Sequence, residues 1–271
     1  MFQPKRSSLI NKRLVTCTVA LALTALVTGT VWAKDDPFCS NWKLNKDKSK
    51  VTGEQMKIED LGDNKYKFTQ GDESNTITMD GSDQPIHYGR TMSLTNESPT
   101  SFKMVIKRDG KVLSSMTHSL SDDGNTQTVK GTDYKPDGST SDFEVISKRV
   151  GSGSGWNGTW ESTKIDFNSP GEWDVAPNGS NGLTFKDPAY KETWSFKFDG
   201  NDYPGSGPDV PSGAVASAQR IDAHHFQMTY KINGKVLNRN TFEVAPDGKT
   251  MTVTSHQTGQ PNPQTYVYDK M

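Results

Sequence analysis

Cysteine is almost missing from this 271-residue chain, which has two. Cys17 falls inside an apolar N-terminal run, so only Cys39 lies beyond it, and one thiol cannot close an intramolecular disulfide. The fold must be held by its own core, with Cys39 read as a tolerated thiol. Long apolar runs are also missing: after residue 33 none approaches the roughly 20 residues that a membrane-spanning helix needs. Excess positive charge is absent as well. Without Lys5, Arg6, Lys12 and Arg13, which have no acid beside them, 27 Lys+Arg face 32 Asp+Glu, a net charge of −5. That balance argues against nucleic acid or an anionic membrane as partner.

Catalytic motifs are just as scarce. There is no G-x-S-x-G elbow, because neither serine of "GSGSG" has a glycine two residues before it. H-E-x-x-H, a glycine-rich phosphate loop and C-x-x-C do not occur. His224 and His225 are adjacent, and neighbours on a strand point to opposite faces, so they read as a solvated loop-end pair even with Asp222 nearby. The acid clusters "EDLGD", "GDES" and "SDD" lack the oxygen spacing of a calcium loop. No metal and no cofactor is expected.

What is present begins with an export signal. A basic stretch, the apolar run "LVTCTVALALTALVTGTV" and the small-residue site "VWA" describe a signal peptide over residues 1–33. The mature product is then expected to be secreted or periplasmic, without a membrane span.

The rest of the chain repeats itself. "FKMVIKRDGKVL" at Phe102 returns as "FQMTYKINGKVL" at Phe226, a spacing of 124. Trp42 and Trp160 stand 118 apart, and Gly81 and Gly200 stand 119 apart. Two copies of one unit are expected, over residues 34–150 and 156–271, joined by a flexible linker at 151–155. The change of spacing puts about five extra residues in the second copy, within "DYPGSGPDVPSGA".

Within each unit the period is two. Phe226, Met228, Tyr230 and Ile232 alternate with polar residues, as on a half-buried strand, and helical spacing is hard to find. Asp-Gly or Asn-Gly pairs punctuate the runs, seven of them ending at Gly81, Gly110, Gly124, Gly138, Gly200, Gly234 and Gly248, a residue choice that suits type I′ hairpins. The expected fold is all-β, with eight to ten short antiparallel strands per unit. Such a meander hides its edges either by closing into an up-and-down β-barrel or by folding as a β-sandwich.

The start of the second copy separates these. "GTW", Gly158 to Trp160, resembles the G-x-W opening of the lipocalin and fatty-acid-binding (calycin) superfamily. "WKLNKDKSK" is similar to the opening of secreted bacterial proteins with tandem lipocalin-like domains. The resemblance implies two tandem barrels, with Trp42 and Trp160 plugging the closed ends and Arg149 stacked on a tryptophan; Ser40 replaces the motif's glycine in the first copy.

The function this implies is binding of a small hydrophobic or amphipathic molecule inside a barrel. Tyr203, Phe226, Met228 and Tyr230 are candidate contacts in the second unit, and His118 and Asn240 are candidates to orient a polar group. Two alternatives stand beside it: a protein- or glycan-interaction module with filled barrels, and an isomerase or hydrolase on the same fold.

Overall fold

The computed structural model describes residues 36–168 and 171–271, so the signal-peptide reading lies outside the described residues. The first half of the chain carries β1 (Ser40–Leu44), β2 (Gln55–Asp60), β3 (Lys65–Gln70), β4 (Glu73–Thr78), β5 (Gln84–Ile86), β6 (Arg90–Ser98), β7 (Ser101–Arg108), β8 (Lys111–Leu120), β9 (Thr126–Tyr134) and β10 (Thr140–Ser154). The second carries β11 (Asn157–Phe167), β12 (Glu172–Pro177), β13 (Gly182–Asp187), β14 (Glu192–Lys197), β15 (Tyr203–Ser206), β16 (Ala214–Arg220), β17 (His225–Ile232), β18 (Lys235–Val244), β19 (Thr250–Gln257) and β20 (Gln264–Lys270). The period-two reading holds: Phe102 and Met104 of β7 are buried with Lys103 exposed between them, and Phe226 of β17 is buried beside exposed Gln227.

The turns divide into two kinds. Only Asp109-Gly110 and Asn233-Gly234 have positive φ at both residues, as a type I′ turn requires. At Asp80, Asp123, Asp137, Asp199 and Asp247 the glycine alone is left-handed, and the aspartate carboxylate accepts the N–H two residues on, at 2.8–3.0 Å. In those five pairs the side chain makes the turn by mimicking backbone, so the type I′ expectation applies to two pairs of the seven.

All pairing is antiparallel, in two ten-stranded sheets. One is a closed barrel in the order β1, β12 through β20. The other is barrel-like and runs β4-β3-β2-β11-β10-β9-β8-β7-β6-β5. Its seam between β4 and β5 is bridged by the Gln84 side chain, whose amide accepts from Thr78 N–H at 2.8 Å and donates to Thr78 C=O at 2.7 Å.

The sheets do not follow the repeats. β1, from the first copy, lies between β12 and β20 of the second, with Trp42 opposite Trp173 and Lys270. Its counterpart β11 lies between β10 and β2 of the first, with Trp160 opposite Arg149 and Met56. The two copies have exchanged their opening strands. The stretch Gly151–Gly155, expected as a linker between barrels, is the end of β10 and the start of its hairpin bend to β11, within one barrel. Consecutive strands joined by so short a connection pair with each other, which places β11 beside β10.

Each sheet encloses its own core. Phe38, Trp42, Phe196, Phe226, Phe242 and Met251 pack in the second barrel, and Ile58, Ile77, Leu94, Phe102, Trp156 and Trp160 in the first. The two tryptophans are held alike. The Trp42 indole donates to Phe38 C=O at 2.8 Å and the Trp160 indole to Trp156 C=O at 3.2 Å. Because of the exchange, Trp160 is buried in the core of the first barrel and not of the second, and Trp42 in that of the second. Arg149 stacks on Trp160, 4.2 Å from the ring centroid, and donates to Gly124 and Gly155 carbonyls at 2.6 and 2.7 Å. The glycine of the G-x-W motif has a local cause: at Gly158, with φ of 150°, a Cβ would sit 2.5 Å from the Arg149 guanidinium. In the second barrel Lys270 lies opposite Trp42, and Ser40 fills the glycine position without that constraint.

Candidate functional site

Neither interior is filled. The first barrel holds a cavity of about 360 Å³ and the second one of about 280 Å³. They are the same place in the two copies, lined differently. Met56, Asn75, Met92, Ile106 and Met116 of the first correspond by register and spacing to Trp173, Trp194, Ala216, Tyr230 and Asn240 of the second. Methionine makes the first wall adaptable, while rigid rings shape the second. There Trp194 meets Tyr230 edge-on with centroids 5.4 Å apart, and Trp173 stacks on Tyr268 at 4.5 Å.

A third space, about 650 Å³, is lined by residues of both barrels. It shares Gln70, Glu73, Arg90 and Met116 with the first cavity and Glu192 and Tyr230 with the second. Both barrels contribute the same end: Glu73 and Glu192 are equivalent, as are Ile106 and Tyr230.

This chamber is charged. Arg90 and Arg108 stand opposite each other on β6 and β7, and burial together with the nearby Arg108 holds the Arg90 guanidinium below its ordinary pKa. Arg108 donates to the Asp209 carbonyl, so the longer second-copy loop reaches the first barrel. Burial works against the charge of Glu73, yet its hydrogen bonds from Tyr88 and from Lys235, the latter at 3.1 Å, hold its pKa below the usual range. Burial raises the carboxyl pKa values of Asp133 and Glu192 on its wall, and of Asp187 in the second cavity.

The deep part of the first cavity is polar and uncharged. His118, Gln127, Ser147 and Ser162 lie on four consecutive strands, β8 to β11, and all are buried. Gln127 stands opposite Ser147 and Ser147 opposite Ser162, while His118 faces Val129, two residues along from Gln127. Among the described residues, neither His118 ring nitrogen has a hydrogen-bond partner, and neither does Gln127 Nε2. Burial lowers the His118 pKa to about 3, so the ring is neutral. It lies flat on Phe102, centroids 4.5 Å apart.

The second barrel has no such belt. The matching positions are Phe242, Met251, Tyr268 and Leu44, and Phe242 stacks on Phe226 at 4.4 Å. One row of inward positions is polar throughout in one barrel and apolar or aromatic in the other.

The candidates named from sequence separate accordingly. Met228, Tyr230 and Asn240 line the second cavity together. Phe226 is fully buried behind it in the core. Tyr203 packs beside that core and donates its hydroxyl to Asp199 at 2.7 Å, away from the cavity lining. His118 lines the first cavity. Gln127, Ser147 and Ser162 were not legible as site residues one by one; the signal was the alignment of Gln127 with Met251 and His118 with Phe242 in the two copies. His225 bonds Asp222 at 2.8 Å while His224 contacts the Val244 carbonyl at 3.1 Å, so the two rings have separate partners.

Comparison with known proteins finds no matching family model, no matching curated protein and no matching solved structure.

Proposed function

We propose that this chain is an exported binding protein that holds a small, largely apolar molecule inside lipocalin-like barrels. The observation that carries the reading is the unfilled interior: two cavities of about 360 and 280 Å³ that each share lining residues with one chamber. Space of this order lined by apolar side chains with a few convergent polar groups is what small ligands occupy. An interaction module would need a packed interior and an apolar surface patch. The exposed large apolar residues among those described, Leu61, Tyr134, Val150, Ile221 and Met271, are instead dispersed over different turns and strands.

The test is titration of the full mature chain with a fluorescent fatty-acid probe, together with the emission of Trp173 and Trp194 in the second cavity. Saturable binding is expected, with displacement by unlabelled amphiphiles. A probe signal that rises linearly without saturation, and that no amphiphile displaces, would overturn the reading.

A further inference from the structure

The deep belt of the first barrel states what kind of head group it would take. We propose that the first barrel receives its ligand head first, and that the head is an uncharged group able both to donate and to accept hydrogen bonds, a primary amide or an alcohol, placed against Gln127 and His118. This rests on the binding reading above and narrows it to a chemical class.

Three observations lead there. His118 and Gln127 are 3% and 1% exposed, line the cavity and leave polar atoms without partners, an arrangement that costs stability unless something in the cavity completes it. Their capacities are complementary to a neutral head. Gln127 Nε2–H needs an acceptor, and a neutral imidazole offers one N–H and one lone pair. Ser162 Oγ accepts the N–H groups of Gly53 and Glu54, each at 3.0 Å, which leaves its own proton to donate.

The belt itself contains no charge. The ionisable groups on the rest of the cavity wall are Glu54, Glu73 and Arg90; Glu54, whose N–H bonds Ser162, would repel an anion there. A bound carboxylate would seek Arg90 at the chamber end, tail inward, and would lay apolar carbon against the unpartnered belt. The belt also lies away from the opening, since none of its four residues lines the chamber. The body of a head-first ligand would instead run along Met92, Met104 and Met116 toward the chamber.

The coherence of the belt is the independent support. Four inward positions on four strands are polar here, while their counterparts pack as Phe242, Met251, Tyr268 and Leu44. The fold therefore tolerates apolar residues at this row, and the polar set is not required to build the barrel.

The experiment compares dodecanamide, dodecanol, dodecanoate and dodecylammonium on the full chain near neutral pH, by calorimetry or probe displacement. The amide and alcohol should bind about tenfold or more tighter than either ion, as expected for burying a head whose hydrogen bonds are met against one that carries charge. Gln127→Met, which installs the second barrel's residue, should remove that preference. Nitrogen-15 spectra of His118 supply a readout that needs no variant: its ring signals should shift on amide binding.

Dodecanoate binding tightest, an unchanged preference in Gln127→Met, or His118 signals that ignore bound amide would each overturn the head-first assignment while leaving ligand binding intact. Failure of all four molecules, and of the probe, to saturate any site would overturn the binding reading itself.

Discussion

At the scale of the residue, His118 joins burial, electrostatics and the site. Its ring is held neutral by burial, with a pKa of about 3 against an ordinary value of 6.5. Between those values the unfolded chain binds a proton that the folded chain does not. Stability attributable to this residue is therefore fully present above pH 6.5 and lost as pH falls toward 3. One such proton gives a slope of about 1.4 kcal/mol per pH unit. His118→Phe, which copies Phe242 and keeps the stack on Phe102, should remove it. Chemical denaturation of wild type and variant should diverge by about 2–3 kcal/mol between pH 6.5 and about pH 4.5, the wild type losing more. Parallel stability curves over that range would mean that the ring gains its proton without penalty, and so is not enclosed. At this scale the sequence was only partly readable. His118 and Asn240 could be named as inward polar residues, but Phe226 stood in the same strand-like pattern as the cavity residues, Tyr203 stood in the longer loop stretch of the second copy, and both ended outside the cavity lining. Alternation tells inside from outside; it does not tell core from cavity wall.

At the scale of the element, the strands, the repeat and many of the turns followed from local pattern. The exchange of β1 and β11 did not. Both strands carry the same x-x-W opening, and either slot offers a β2-like neighbour on one side and a β10-like neighbour on the other, so local chemistry is degenerate between swapped and unswapped pairing. What decides is connection length. Only Gly155 and Trp156 separate β10 from β11, too little chain to leave one barrel and open another. It follows that cutting at the repeat boundary removes a strand from each side. Fragments 34–153 and 154–271 should be poorly ordered alone and gain structure when mixed, whereas a fragment covering residues 45–168, which holds β2 through β11, should melt cooperatively by itself. Far-UV circular dichroism with thermal melts distinguishes the cases. Two independently cooperative fragments from the repeat-boundary cut would show that each copy can retake its own first strand.

At the scale of the whole molecule, the duplication has produced two containers sharing an entrance hall. The same end of each barrel faces the chamber, and bonds between the copies tie them together, among them Lys235 to Glu73 and the reciprocal pair between the Gln260 side chain and the Gln55 backbone at 2.8 Å. The linings have diverged around this frame, methionine and a polar belt on one side, rings and acids on the other. Ligand length then becomes a probe of whether the spaces communicate. An octyl amphiphile is short enough to lie within a single barrel, so each cavity should fill separately and native mass spectrometry should find two molecules per chain at saturation. An octadecyl amphiphile seated in the first barrel must run on into the chamber, past Arg90 and Ile106 toward Tyr230, and should exclude a second copy of itself. One bound octadecyl chain, with altered Trp194 emission although its head is in the other barrel, is the expected result. Two octadecyl chains bound to one protein would show that the cavities fill independently and that the chamber joins them only by proximity.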